Sequence, residues 1–281
     1  MVAIIDYNAG NLKSVEKALA NKEAKVIAVA NQKGGVAKTT TAVNLAAVLG
    51  NSGKKVLLVD GDMQGSCTSG IGVKLPKDTM SFYHCLIEGE NAADVVVQTE
   101  YKNLSIIPSS IELAGAEIEL MEKEDRYHCA KAVIEPLRKS YDYIVIDCPP
   151  ALSLMTLNLL AASDSVLIPM QAEYFALEGL KQLIDTVKIV KKKWNAQLSV
   201  EGLLLTMFDD RLNLNKQVEE ELRTHFGSKV YKTKISRSIK ASEANSYGMP
   251  LCSYAKLAKI TLQYNEFVRE FLKQQKKKSN G

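Results

Sequence analysis

The chain has 281 residues, 46% hydrophobic and 24% charged, the composition of an ordinary soluble globular protein, long enough for one large α/β domain or two small ones. No apolar run approaches the ~18 residues of a membrane span, and Asp6, Lys13 and Glu16 interrupt the first apolar stretch, which argues against a signal peptide. Five scattered cysteines (67, 85, 129, 148 and 252), without a C-x-x-C pair, argue against a disulfide framework, a zinc site or an iron–sulfur site, and suit reducing cytoplasm.

In chain order, VAIIDY reads as a strand and LKSVEKALANK as a helix, a βα piece that cannot bury a core of its own and is expected to be peripheral. From Lys25 onward, short β-branched runs alternate with helical patterns. The predicted strands are VIAVA (26–30), KVLLVD (55–60), LSIIP (104–108), YDYIVID (141–147), SVLIPM (165–170) and VEGLLLT (200–206). Each is almost continuously apolar, as strands covered on both faces are. Helices are predicted over 39–50, 154–162, 177–193 and 214–226. The alternation implies βαβ units and a doubly wound, mostly parallel sheet, in which ligands sit at the carboxyl ends of the strands. Three chemically loaded segments fall there: 31–41, 60–66 and 147–150.

Segment 31–41, NQKGGVAKTTT, lies between a strand and a helix. Gly34 and Gly35 let backbone N–H groups curl around phosphates, and the helix N-terminus adds partial positive charge. Lys38 is placed to reach terminal phosphates, and the Thr39 hydroxyl to bind Mg²⁺. The strict pattern G-x-x-x-x-G-K-[ST] fails, because Gln32 and Ala37 stand at its glycine positions. Lys33 is an extra cation ahead of the turn. Directed outward, it would reach the nucleotide of a facing subunit and stabilise phosphoryl transfer as an arginine finger does.

The K-G-G-x-x-K-T pattern resembles the deviant Walker A motif of the ParA/MinD ATPases, within the P-loop NTPase class. VLLVDGDMQGSCTSGIGV, IIPSSIELAGAEIEL and YDYIVIDCPPALSLMTLNLLAASDSVLIPM resemble the chromosome-partitioning branch, ParA or Soj, over roughly residues 25–255. The resemblance implies an ATP- and Mg²⁺-dependent sandwich homodimer, with ATP held by Lys33, Gly34, Gly35, Val36, Ala37, Lys38, Thr39 and Thr40. It also implies an activator resembling ParB, slow unstimulated hydrolysis and association with the nucleoid. Family members usually carry Gly at the position of Ala37 and Pro at that of Met63.

Asp60 and Asp62 stand two apart in D-G-D-M-Q-G, and period-two geometry points their carboxylates to one side. The resemblance gives Asp62 the attacking water and Asp147, ending YDYIVID, the metal; Asp62 is carried as a further candidate metal neighbour. N-capping is the plainer role for such aspartates.

Formal net charge is +4, but residues 181–281 hold 20 Lys+Arg against 10 Asp+Glu. That suits a polyanion partner or lysine-rich solvated helix faces. In ISRSIKASEANSYGMP (235–250), Ser236 and Ser238 occupy the family's adenine-bordering Pro and Asn positions, while Arg211, Arg237 and Lys240 match basic positions that contact DNA without sequence preference. Past Tyr254, Phe267, Val268, Phe271 and Leu272 make an amphipathic helix ending in lysines, expected to pack on the domain. A MinD-like membrane-associated ATPase reading that helix as an anchor, and a weakly catalytic DNA-binding regulator, are the alternatives.

The head, 1–23, resembles instead the opening of the glutaminase subunit of imidazole glycerol phosphate synthase. Glutaminase chemistry is rejected: Cys67 lacks the second glycine of its elbow, which is Ser69, and none of His84, His128 or His225 has Glu two residues on. Residues 24–281 are expected to form the ATPase domain, with 1–23 an appended βα segment.

Overall fold

The computed structural model describes residues 23–76, 79–173 and 176–279. Seven strands form one sheet: β1 (Lys25–Val29), β2 (Val56–Asp60), β3 (Val97–Gln98), β4 (Leu104–Ile107), β5 (Tyr143–Asp147), β6 (Ser165–Gln171) and β7 (Ser199–Thr206). Their order is β3-β4-β2-β5-β1-β6-β7, and every pairing is parallel except β3 with β4. The six long strands coincide with the six apolar runs of the sequence. The edge strand β3 spans two residues and is too short to carry a pattern.

Helices α1 (Lys38–Asn51), α2 (Ser66–Gly70), α3 (Ala92–Val95), α4 (Ala116–Glu122), α5 (Cys129–Ile134), α6 (Leu154–Ala161), α7 (Ala176–Lys193), α8 (Asn213–Phe226), α9 (Ile239–Ser246), α10 (Leu251–Tyr254) and α11 (Lys259–Ser279) cover both faces. Alternate strand residues feed two cores. Val26 and Ala28 join one with α5, α6 and α7, while Ile27 and Val29 join the other with α1 and α11. The parallel strands are therefore apolar on both sides, because neither face meets water.

The aromatic side of α11 is interior. Tyr264, Phe267, Val268 and Phe271 are fully buried against α1 and the sheet, with Tyr231 edge-on to Phe267 at 4.8 Å. The apolar side chains on which a membrane anchor would depend are thus spent on the domain's own core. No helix among the described residues is long and apolar enough to cross a membrane. The βα reading of the head falls, apart from Glu23, outside the described residues.

A backbone crossing ties α9 to the segment after α2. A Cβ on Gly248 would lie 2.7 Å from the Gly72 Cα and 2.9 Å from the Ser69 carbonyl oxygen, so the two chains meet without side chains between them. Gly72 and Gly248 also have positive φ, 75° and 63°, which glycine adopts without a Cβ clash.

Candidate nucleotide site

The loop between β1 and α1 is held from several sides. The Asn31 amide donates to the Pro169 carbonyl at 2.8 Å, and its oxygen accepts the Lys33 N–H at 2.9 Å. The Thr206 hydroxyl donates to the Val36 carbonyl at 3.0 Å, and the Gln171 amide to the Gly35 carbonyl at 3.1 Å. Carbonyls thereby turn toward the sheet, leaving the opposite side of the loop to its N–H groups. Gly35 has φ 71° and Ala37, at the N-cap of α1, φ 65°. Left-handed residues of this kind build concave anion nests.

The two lysines part company here. Lys38 is 7% exposed, and its ammonium folds onto the loop to donate to the Lys33 carbonyl at 2.9 Å. Burial pulls it below the usual lysine range, against the pull of the Asp147 carboxylate. Lys33 is exposed and paired with Glu173 on the surface. Val36 is buried beneath the turn; Thr39 and Thr40, half-buried, open α1.

Asp60 and Asp147 face each other at the carboxyl ends of β2 and β5, where they are register partners. Asp60 accepts the Thr68 N–H and hydroxyl, both at 2.7 Å, and burial pushes its carboxyl up to about 6. Asp62 lies beyond the end of β2, half-buried on the cleft rim, where its carboxylate accepts the Gln64 N–H at 3.1 Å. The expectation that the two share one side is corrected: strand alternation stops at Asp60, which belongs to the interior.

Asp147 is 1% exposed, and neither carboxylate oxygen has a hydrogen-bond partner. Burial drives its carboxyl well up, Asp60 adds to this, and the nearby Thr39 hydroxyl, short of hydrogen-bond geometry, opposes it. Unpaired buried carboxylates are costly. An oxygen-preferring dication would supply the missing partner, so the donor set Thr39–Asp147 fits magnesium. No group of three or more His, Cys, Asp or Glu gathers among the described residues, so such an ion would need oxygens from a phosphate or water as well.

A cleft of about 410 Å³ opens over this loop, lined by Gly34, Lys38, Thr39, Asp62, Met207 and Asn245 among others. Beside it lies a smaller hollow of about 150 Å³, walled by Ile235, Ser236, Arg237, Ser238 and Tyr264. A larger cavity, about 610 Å³, lies by α11 at the amino end of the sheet, far from these groups. The chemistry, not the volume, selects the loop.

The AAA domain family model matches residues 24–200. The sporulation initiation inhibitor protein Soj of Bacillus subtilis is 49% identical over 246 residues, 88% of this chain and 97% of that protein. The chromosome partitioning protein ParA of Myxococcus xanthus is 44% identical over 255 residues, covering 91% and 90%.

The chain belongs to the ParA/Soj family.

Solved structures agree with that membership. Cobyrinic acid a,c-diamide synthase of Mycobacterium smegmatis, with bound ADP and magnesium, superposes with TM-score 0.79 at 32% identity, covering 90% of this chain and 96% of its own. A putative plasmid partition protein of Borrelia burgdorferi bound to AMPPNP gives 0.77 at 28% identity, covering 90% and 100%.

Of the other residues expected from the ParA/Soj resemblance, Ser236, Arg237 and Ser238 line the hollow, and Arg211 and Lys240 do not. Ser236 donates its hydroxyl to Gln263 at 2.9 Å, and Ser238 caps α9 by accepting the Lys240 N–H. Arg237 is exposed and has no ion pair among the described residues, whereas Arg211 grips Asp209 through two nitrogens and Lys240 pairs with Glu243. Sequence reasoning missed Asn31, Gln171, Glu173, Thr206, Met207 and Asn245. Asn31 opens the loop itself, where nothing marks its side chain as a brace; the others are single residues far along the chain, without a motif to mark them.

Proposed function

We propose that this chain is a Mg²⁺-dependent ATPase that forms an ATP sandwich dimer, binds DNA without sequence preference and serves chromosome or plasmid segregation. The observation that carries this reading is the division of labour between two lysines of one turn: Lys38 buried against its own loop, Lys33 exposed and paired at the surface with Glu173. A second cation that cannot serve its own turn is useful to a facing one.

The roles follow from charge and position. The N–H groups of Gly34, Gly35, Val36 and Ala37, with the Thr40 end of α1, receive the β- and γ-phosphates. Lys38 neutralises them from below. Thr39 and Asp147 would hold magnesium, which when bound would supply positive charge to the triphosphate as a Lewis acid. Asp62, on the rim, orients the water that attacks that phosphorus; the bond to the bridging oxygen breaks and ADP leaves with the electron pair. Lys33 from the facing subunit stabilises the charge that develops. Ser236 and Ser238 border the adenine, and Arg211, Arg237 and Lys240 neutralise DNA phosphates. A ParB-like activator accelerates turnover, in the cytoplasm on the nucleoid. The buried apolar face of α11 argues against the membrane alternative.

Turnover measured against protein concentration, with and without DNA, tests the reading. Lys38→Ala is expected to abolish ATP binding. Lys33→Ala is expected to keep subunit binding while losing the cooperative rise in turnover. Turnover like that of the unaltered protein in Lys33→Ala overturns the cross-subunit role.

A further inference from the structure

The 410 Å³ cleft and the 150 Å³ hollow adjoin, and four residues line both: Ala37, Thr40, Met207 and Asn245. A nucleoside triphosphate seated with phosphates in the first and base in the second, as proposed above, has its sugar at that junction. Two of the four side chains, a methyl and a thioether, offer a hydroxyl little more than contact. Thr40 and Asn245 offer polar atoms. The Asn245 amide nitrogen stands 3.5 Å from the Thr40 hydroxyl, the outer limit of a hydrogen bond, and the side chain is exposed on α9. It is only loosely committed within its own chain.

We infer that Asn245, with Thr40, reads the ribose of the bound nucleotide. A carboxamide carries both donor and acceptor, as does each sugar hydroxyl, so the pair satisfies adjacent hydroxyls in either sense. An analogue without one hydroxyl leaves a desolvated amide group unpaired, which is where hydroxyl selectivity originates. The site is therefore selective for ribonucleotides. The inference rests on the nucleotide reading and adds a specificity residue to it. α9 also begins next to Arg237 and Ser238, so the helix that reads the sugar continues from the segment bordering the base.

The test is calorimetric titration of the full chain with ATP, 2′-deoxy-ATP and 3′-deoxy-ATP in magnesium. Unaltered protein is expected to bind ATP about tenfold more tightly than at least one deoxy analogue. Asn245→Ala, an exposed substitution, is expected to weaken ATP about tenfold, leave the weaker analogue nearly unchanged and so erase the ratio. Equal affinity of the unaltered protein for all three overturns the sugar role but leaves the nucleotide reading standing, and this comparison needs no variant. A ratio that survives in Asn245→Ala removes Asn245 from the role. Failure of every nucleotide to bind overturns the nucleotide reading, and this inference with it.

Discussion

At the level of single residues, the site is a contest between backbone cost and ligand geometry, and Ala37 shows it best. Its φ of 65° puts a Cβ where L-residues meet their own carbonyl, at a cost of roughly 1–2 kcal/mol. Glycine would escape that clash but lose more chain entropy on folding. Ala37→Gly is expected to raise stability by about 0.5–1 kcal/mol in urea unfolding; a loss of stability would show that the turn is not strained there. Gly34, Gly35, Lys38 and Thr39 were legible in the sequence because a phosphate loop is local, its parts fixed within seven residues of chain. Thr206, Gln171 and Asn245 were not. Each reaches the loop through tertiary folding, and one polar residue among apolar neighbours has many ordinary explanations. Asp60 misled for a related reason: alternation predicts direction only while the strand lasts.

Among the elements, the strands were legible because a doubly covered sheet writes itself as continuous apolar runs. The short helices α4 and α5 were not, since one or two turns repeat the 3.6-residue period too few times to stand out. The docking of α11 has a polar lock as well as an aromatic one. Glu201 on β7 is buried and accepts from Lys25 on β1 and from Gln275 and Lys278 on α11. Burial alone would raise its carboxyl; Lys25 and Lys278 outweigh that and bring it to about 2. At Lys25 burial wins instead and lowers the ammonium, so the pair is worth less than the carboxylate alone suggests. The sign follows from Glu201, on which three donors converge. Its folded value lies below the ordinary 4.5, so its stabilisation is present above about 4.5 and drains away as pH falls toward about 2. Glu201→Gln is expected to cost roughly 3 kcal/mol at pH 7. Its stability should also be flatter through that acid window, as followed by denaturant titration at stepped pH. An equally steep acid loss in the variant would remove Glu201 as its source.

For the molecule as a whole, charge is divided along the chain: residues 181–281 carry a formal +10 and residues 1–180 carry −6. Composition alone left solvated lysine faces and a polyanion partner equally open. In the fold, Ser236, Arg237 and Ser238 line the hollow beside the loop, while Arg211 and Lys240 hold acidic neighbours of their own. If the three basic residues of each subunit meet DNA phosphates, a dimer makes about six such contacts. Raising salt from 50 to 200 mM is then expected to weaken DNA binding by the ATP-loaded protein about a thousandfold. Salt-independent binding would sink the interface.

The crossing of Gly72 over Gly248 has a mechanical meaning. Backbone pressed on backbone leaves no side chain to swivel, so the joint behaves as a weld. One side of the weld follows the loop that carries Asp62; the other is the end of the helix that carries Asn245. The Asp62 side and the Asn245 side of the cleft are therefore expected to travel as a single jaw, so that an opening of the cleft would hinge against the loop between β1 and α1.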